Sequence, residues 1–209
     1  MKLTFTSFLT LDGVVQAPGA PEEDTGNGFT QGGWLVPFAD DTSGRYVAEW
    51  FADVDAFLLG RRTYDIFASY WPRVTDPDNP VATRLNERPK YVVSNTLKNP
   101  EWHNTTVIAG AEADVVKEVQ ALKDRAGGEL QVHGSGTLAL FLMGHGLIDE
   151  YRLWTFPVVL GHGRRLFTDG VPPTSFELAG TRTTPTGVMV NSYRPTGRPQ
   201  YGSFNLIDE

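Results

Sequence analysis

The sequence predicts an α/β fold built on a mostly parallel sheet, and three observations carry that prediction. Strand-like runs alternate with helical segments through the middle of the chain, the pattern of parallel pairs joined by crossover helices. Two of those strands, Asp55–Gly60 and Lys90–Ser94, are short apolar runs of the kind buried on both faces. Two further runs, Ser175–Thr184 and Gly187–Arg194, flank a Pro185-Thr186-Gly187 turn and add an antiparallel hairpin at one edge.

The elements follow in order. Lys2–Thr10 sets Leu3 and Phe5 against Thr4 and Thr6, which reads as a strand. Leu11-Asp12-Gly13-Val14 contains an Asp-Gly turn signal, either a plain hairpin tip or part of a site. Gln16–Gly33 is rich in glycine, proline and acid and has no periodicity, so it is expected to form a substrate-side lid. Trp34–Phe38 reads as an exposed aromatic patch. Asp40–Ser43 offers helix caps, and Tyr46, Val47, Trp50 and Phe51 recur at helical spacing. Asp55–Gly60 runs straight into Arg61-Arg62-Thr63-Tyr64, which opens a helix to Tyr70. Val81–Arg88 forms one or two helical turns. Lys90–Ser94 and Thr105–Ala109 are strands, and Glu112–Ala126 is an amphipathic helix with Val115, Val116, Val119 and Leu122 as its stripe. The organising stretch is Glu129–Leu160: strand Glu129–His133, turn Gly134-Ser135-Gly136-Thr137, apolar helix Leu138–Gly144 and long strand Asp149–Leu160. A glycine turn leading from a strand into a helix gathers unpaired N–H groups at one point and suits a diphosphate.

A chain of 209 residues, 40% hydrophobic and 21% charged, fits one domain, residues 1–209. The net charge of −7 argues against nucleic acid or an anionic membrane as the main partner, so an anionic ligand needs a local basic cluster. No run reaches membrane-spanning length and the N-terminus lacks a signal-peptide core, so a cytoplasmic location is expected. The absence of cysteine excludes disulfides, thiol catalysis and cysteine–zinc sites. His103, His133, His145 and His162 show no metal-ligand spacing, so no metal is expected and the histidines read as satisfied or surface groups.

Three strand ends carry the chemistry. Gly60-Arg61-Arg62-Thr63 places two guanidiniums and a hydroxyl at a helix start, which suits phosphate, and arginines favour the 2′-phosphate of NADPH over NADH. Ser94-Asn95-Thr96 closes a neighbouring strand. Gly134-Ser135-Gly136-Thr137 lacks the third glycine of the dinucleotide fingerprint. Ser135 is not a hydrolase nucleophile, because His133 stands where the elbow needs glycine. Arg164 and Arg165 follow a strand, as surface charges or as contacts to a phosphorylated substrate.

Taken together, LTLDGVVQ, DAFLLGRRTYDIFASYW, KYVVSNTL, ELQVHGSGTLALFLMGHGLIDEYRLWTFPVVLG and RRLF resemble, in this order, the dihydrofolate reductase superfamily. Within it they are most similar to stand-alone relatives of the C-terminal reductase domain of riboflavin biosynthesis. The resemblance spans roughly Lys2 to Tyr193. It implies a three-layer fold with a twisted sheet of about eight strands, NADPH as cofactor and a small heterocyclic or ribosylamino substrate such as 5-amino-6-(5-phosphoribosylamino)uracil. By motif position, Gly60, Arg61, Arg62 and Thr63 would hold the adenosine phosphates, and Ser94, Asn95 and Thr96 would border the adenine and 2′-phosphate. Gly134, Ser135, Gly136 and Thr137 would lie on the diphosphate. Leu11, Asp12 and Gly13 would flank the nicotinamide and substrate, with Asp12 as substrate orienter, proton relay or turn-former. Trp34 and Trp50 line the pocket or pack the core. The acid that folate reductases carry on the first helix falls here on Val47, which cannot protonate a pterin; Asp41 or Glu49 would need a different register. The zinc deaminase partnered with this domain in bifunctional enzymes needs cysteines, so deamination is excluded. A nucleotide-binding module without chemistry is the alternative, and the apolar strand Tyr151–Leu160 serves either a homodimer interface or the buried core.

Overall fold

The computed structural model describes residues 1–204, so the single-domain expectation over residues 1–209 includes five residues, 205–209, that lie outside the described ones. Eight strands form one sheet: β1 (Lys2–Thr10), β2 (Val54–Gly60), β3 (Lys90–Val93), β4 (Thr105–Ile108), β5 (Glu129–His133), β6 (Glu150–Phe156), β7 (Ser175–Thr183) and β8 (Met189–Gly197). Their order across the sheet is β4-β3-β2-β5-β1-β6-β8-β7. The six strands from β4 to β6 pair in parallel, and β8 and β7 complete the sheet antiparallel. The helices are α1 (Asp41–Ala52), α2 (Arg61–Tyr70), α3 (Pro80–Glu87), α4 (Glu112–Lys123) and α5 (Gly136–Gly144).

Alternation along the central strands sorts the core into two faces. Leu3, Phe5, Leu58, Leu130 and Val132 pack with Val119 of α4 and Leu138 and Leu142 of α5. On the opposite face Phe57, Leu59 and Val92 pack with Phe51 of α1, Tyr64 of α2 and Leu85 of α3. Farther along that second face, Trp154 and Phe156 pack with Tyr46, Val47 and Trp50 of α1. Asp40 caps α1 by accepting from the Ser43 N–H at 2.7 Å, and Ser43 Oγ accepts from the Asp40 N–H at 3.0 Å.

Several expectations need correction. Trp34 is only 7% exposed, because the loop before it folds back over β6; its indole donates to the Gln16 carbonyl at 2.8 Å and meets Phe156 edge-on. The apolar run expected as Asp149–Leu160 is strand only to Phe156, since Pro157 has no N–H to donate. β6 lies between β1 and β8, and its Tyr151, Trp154 and Phe156 are buried, the core role that was one of the two expected for this run. Helix α5 begins at Gly136, two residues earlier than expected. The second strand of the terminal hairpin starts at Met189 and continues through Pro195 to Gly197.

The Gln16–Gly33 loop is a packed strap rather than an open lid. Phe29 is 1% exposed, and the Gln16 amide donates to the Gly26 carbonyl at 2.9 Å and accepts from the Arg164 N–H at 3.0 Å. Gly163 lies under Phe29 with φ 123°, and a Cβ there would sit 2.7 Å from Val14 Cγ1 and 2.9 Å from Phe29 Cε2. Gly163→Ala is therefore expected to destabilise by about 2 kcal/mol, from overpacking plus an unfavourable φ. The urea midpoint should fall at unchanged slope; an unaltered midpoint would show the strap to be loosely held.

Candidate functional site

The chain leaves β1 toward α1 on one face of the sheet and leaves β5 toward α5 on the other. The carboxyl ends of these neighbouring strands therefore part, which is where open parallel sheets bind ligands. β1 pairs with β5 only as far as Thr6↔His133, and the Gly134 N–H donates to the Thr6 carbonyl at 3.0 Å. From Ser7 to Thr10, β1 pairs with β6 alone. Its other edge has no strand partner among the described residues, and the parting of the strands there is the topological position of a ligand crevice.

Two of the expected motifs meet at this crevice. The Gly60 N–H donates to Ser135 Oγ at 3.0 Å, and the Ser135 N–H donates to Thr63 Oγ1 at 3.1 Å. The approach is close but not tight: a Cβ on Gly60 would lie in ordinary contact, 3.4 Å from Ser135 Oγ and 3.7 Å from Leu138 Cβ. Gly134 and Ser135 both take left-handed conformations, φ 57° and 45°, to turn the chain into α5. Neither α2 nor α5 has a side-chain N-cap bond. Two uncapped helix N-termini thus converge, with Gly136 and Thr137 in the first turn of one and Arg61 and Arg62 in that of the other. Backbone N–H groups and the helix dipoles suit this point to an anion.

The arginines already have partners. Arg61 Nε contacts both Asp65 carboxylate oxygens at 2.8 and 2.9 Å, four residues along α2. Arg62 Nη1 donates to Asp24 Oδ2 at 3.0 Å, and Arg164 donates to the same oxygen. Burial opposes the Asp24 charge, but the Gly26 N–H and the two guanidiniums outweigh it and hold the carboxyl below its ordinary range. Ser94-Asn95-Thr96 ends β3, next to β2 in the sheet. Ser94 Oγ accepts from the Leu97 N–H at 3.1 Å, and Asn95 exchanges two bonds with Gly110 at 2.8 and 3.2 Å. These residues build a turn beside the crevice and make no direct bond to Arg61 or Arg62.

Asp12 is an anchor. Its carboxylate accepts from Thr10 Oγ1 at 2.6 Å and from the Gly161 and Leu160 N–H groups at 2.8 and 3.2 Å; Arg165 Nη2 lies 3.5 Å away. The Thr10 hydroxyl above all, helped by the backbone donors, holds its pKa down to about 2. A carboxyl that acidic carries no proton to relay near neutrality, and the bonds it makes are those of a turn-former. The turn joins β1 to the segment after β6, through a Val14↔Arg165 bridge, and is not the tip of a simple hairpin. Leu11 beside it is 62% exposed at the crevice mouth, and Gly13 supplies φ 79°. Trp50 packs edge-on against Trp154 under the Arg152 guanidinium, and Val47 packs in the core. Glu49 is paired with Arg182 at 2.5 Å on the β7 side of the sheet, and Asp41 is the first residue of α1.

Residues 1–190 match the RibD C-terminal domain. The chain belongs to that family. Uncharacterized protein YyaP of Bacillus subtilis is 30% identical over 151 residues, 71% of this chain and 78% of that protein. The fold is shared with a putative riboflavin biosynthesis protein from Shewanella: TM-score 0.68, 21% identity, covering 94% of this chain and 99% of that one. It is also shared with the dihydrofolate reductase of Enterococcus faecalis complexed with NADP(H): TM-score 0.57, 14% identity, covering 93% and 96%.

In this RibD C-terminal domain protein the α1 side of the central strands carries a buried polar row that ends at the crevice, which the histidine count alone did not reveal. Glu129, Gln131 and His133 on β5 face the α1 side together with Thr4 and Thr6 on β1 and Glu150 and Arg152 on β6. Arg152 binds both Glu129 oxygens, at 2.5 and 2.8 Å, and Glu150 at 3.2 Å. Gln131 donates to Glu129 at 2.7 Å and to the Trp50 carbonyl at 2.6 Å. His133 Nε2 meets Gln131 Oε1 at 2.9 Å while its ring lies against Phe51 and Phe57. Among the described residues no cluster of three His, Asp or Glu side chains could hold a metal ion.

Burial, reinforced by Arg152, pushes the His133 pKa down to about 3. The unfolded chain protonates this imidazole near its ordinary value, about 6.5, and the folded chain does not. Its contribution is therefore complete above pH 6.5 and is lost as pH falls toward 3, whereas Asp12 loses its own only between about pH 4 and 2. Stability should drop by about 1–2 kcal/mol between pH 6.5 and 4.5. A His133→Gln variant should be flat across that window in urea titrations; a parallel slope in both proteins would assign it elsewhere.

Proposed function

We propose that the protein is an NADPH-dependent reductase that delivers hydride to a small heterocyclic or ribosylamino substrate, similar to 5-amino-6-(5-phosphoribosylamino)uracil. The observation that supports this best is the convergence of two uncapped helix N-termini, flanked by Arg61 and Arg62, beside the unpaired edge of β1. Family membership and a fold shared with a reductase complexed with NADP(H) agree with it. In this reading Gly60, Arg61, Arg62, Thr63, Gly134, Ser135, Gly136 and Thr137 receive the phosphates, and Ser94, Asn95 and Thr96 border the adenosine end. NADPH supplies the hydride; the chain orients it and excludes water. Leu11, Gly13 and Trp50 border the substrate side, Trp34 packs behind it, and Asp12 holds the turn. A cytoplasmic location and a homodimer belong to the same proposal, the latter checked by sedimentation.

A second reading, a nucleotide-binding module with little chemistry, draws on the missing proton donor, since Val47 and the low-pKa Asp12 cannot supply one. Titration with NADPH and NADH by tryptophan fluorescence and calorimetry separates the readings from a bare scaffold. Micromolar NADPH binding with much weaker NADH is expected. Loss of NADPH absorbance on adding the aminouracil then supports the reductase; binding without turnover supports the module; no binding of either nucleotide overturns both.

A further inference from the structure

Thr6 is 4% exposed, yet its hydroxyl has no hydrogen-bond partner among the described residues. Trp154 Nε1, on the same face one strand over, is likewise buried and unpartnered. Buried polar atoms are nearly always bonded, so two orphans on one face of adjoining strands mark polar groups that lack their complement. Thr6 is the last residue of β1 that pairs with β5, and its cross-strand neighbour there is His133. Both side chains therefore stand where the crevice begins.

The tautomer of His133 follows from its neighbours. The Gln131 amide nitrogen has two contacts, a carboxylate oxygen and a backbone carbonyl, and both only accept. The amide oxygen must then face His133, so His133 Nε2 carries the proton and donates. With the ring neutral, Nδ1 holds a lone pair, and no described residue donates to it. Arg152, the nearby cation, is engaged by Glu129 and Glu150 and leaves that lone pair free.

We infer that Thr6 and His133 are specificity-determining residues that read the substrate's polar edge. His133 Nδ1 accepts a ring N–H, and the Thr6 hydroxyl bonds the adjoining carbonyl or N–H. The ligand class is a heterocycle with a lactam or ureide edge, an N–H beside a carbonyl. The inference rests on the reductase reading for the placement of substrate over this crevice, and it adds the atoms that choose it.

The test uses two fluorescent probes, lumazine and 1,3-dimethyllumazine, which share a ring system but differ in whether the ureide nitrogens can donate. With NADPH present, the wild-type protein should bind lumazine about tenfold or more tightly than its methylated twin, because a lone pair without a donor is left unpaired. Thr6→Val removes only the hydroxyl. His133→Gln keeps a donor toward Gln131 and loses the Nδ1 acceptor. Both variants should stay folded and bind NADPH, Thr6→Val with a thermal midpoint no lower than wild type, while the probe ratio shrinks to about two- or threefold. Equal binding of the two probes by wild type, an undiminished ratio in both variants, or NADPH binding without any lumazine binding would overturn the inference. Failure of NADPH alone to bind would instead sink the reductase reading, and the probe ratio measured without nucleotide would still decide the role of Thr6 and His133.

Discussion

An Arg152→Met protein is expected to lose about 3–5 kcal/mol of stability, the cost of stranding a buried charge. Arg152 is 8% exposed and holds Glu129, 7% exposed, through two parallel bonds, while its Nε reaches Glu150. Methionine fills the volume but leaves the Glu129 carboxylate with only Gln131 Nε2 and a long contact from Thr4 at 3.4 Å. Glu150 suffers less, because Lys2 still binds it at 2.8 Å. For a chain of this length the melting temperature should fall by about 6–20 °C. The decisive control is Arg152→Met combined with Glu129→Gln, which removes the stranded charge along with its partner and should recover most of the loss. If the double variant is as unstable as the single one, the cost lies in packing against Trp50 and not in charge. Burial is the main cause of the low His133 pKa and Arg152 the lesser one, so the same variant should keep most of the acid sensitivity assigned to His133.

How far the sequence could be read depended on whether a signal was local. β1 and α2 occupy the expected residues, Lys2–Thr10 and Arg61–Tyr70, because alternation and a glycine boundary are written into adjacent positions. The turn at Gly134-Ser135 was legible from its glycines, but its bonds to Gly60 and Thr63 join positions more than seventy residues apart and no local pattern foretells them. The same holds for Asp24 and Arg62. The buried polar row did leave a trace. Glu129-Leu130-Gln131-Val132-His133 alternates polar with apolar, and a strand at the centre of a sheet covered by helices on both faces must bury its polar side too. Counting histidines against metal spacing passed over that alternation. Trp34 was misplaced for a related reason: a loop lacking periodicity says nothing about which of its side chains fold inward.

Substituting the two ends of the Asp24–Arg62 pair should move NADPH affinity in opposite directions. The Asp24 carboxylate, 11% exposed, sits against Arg62 at 3.0 Å and Arg164, so it occupies the face of the guanidinium that a phosphate would use. Arg62 itself is 65% exposed, and among the described residues it pairs only with Asp24. If Arg62 contacts a cofactor phosphate, Arg62→Ala removes a charge-assisted hydrogen bond of about 1.5–3 kcal/mol and weakens NADPH binding about 10- to 100-fold. Asp24→Asn removes a competing negative charge close to that phosphate. At about 6 Å and a near-aqueous dielectric this amounts to roughly 1 kcal/mol, so binding should tighten about fivefold. Both effects should shrink as salt is raised, since the pair lies at the surface. The Asn variant should also exchange the amide protons of the Gln16–Gly33 strap faster, because Arg62 and Arg164 no longer have a carboxylate to hold it. Weaker binding in both variants would mean that Asp24 helps to order the bound state and does not compete with the phosphate. Unchanged binding in both would remove Arg62 from the cofactor site and leave the uncapped helix ends to hold the anion alone.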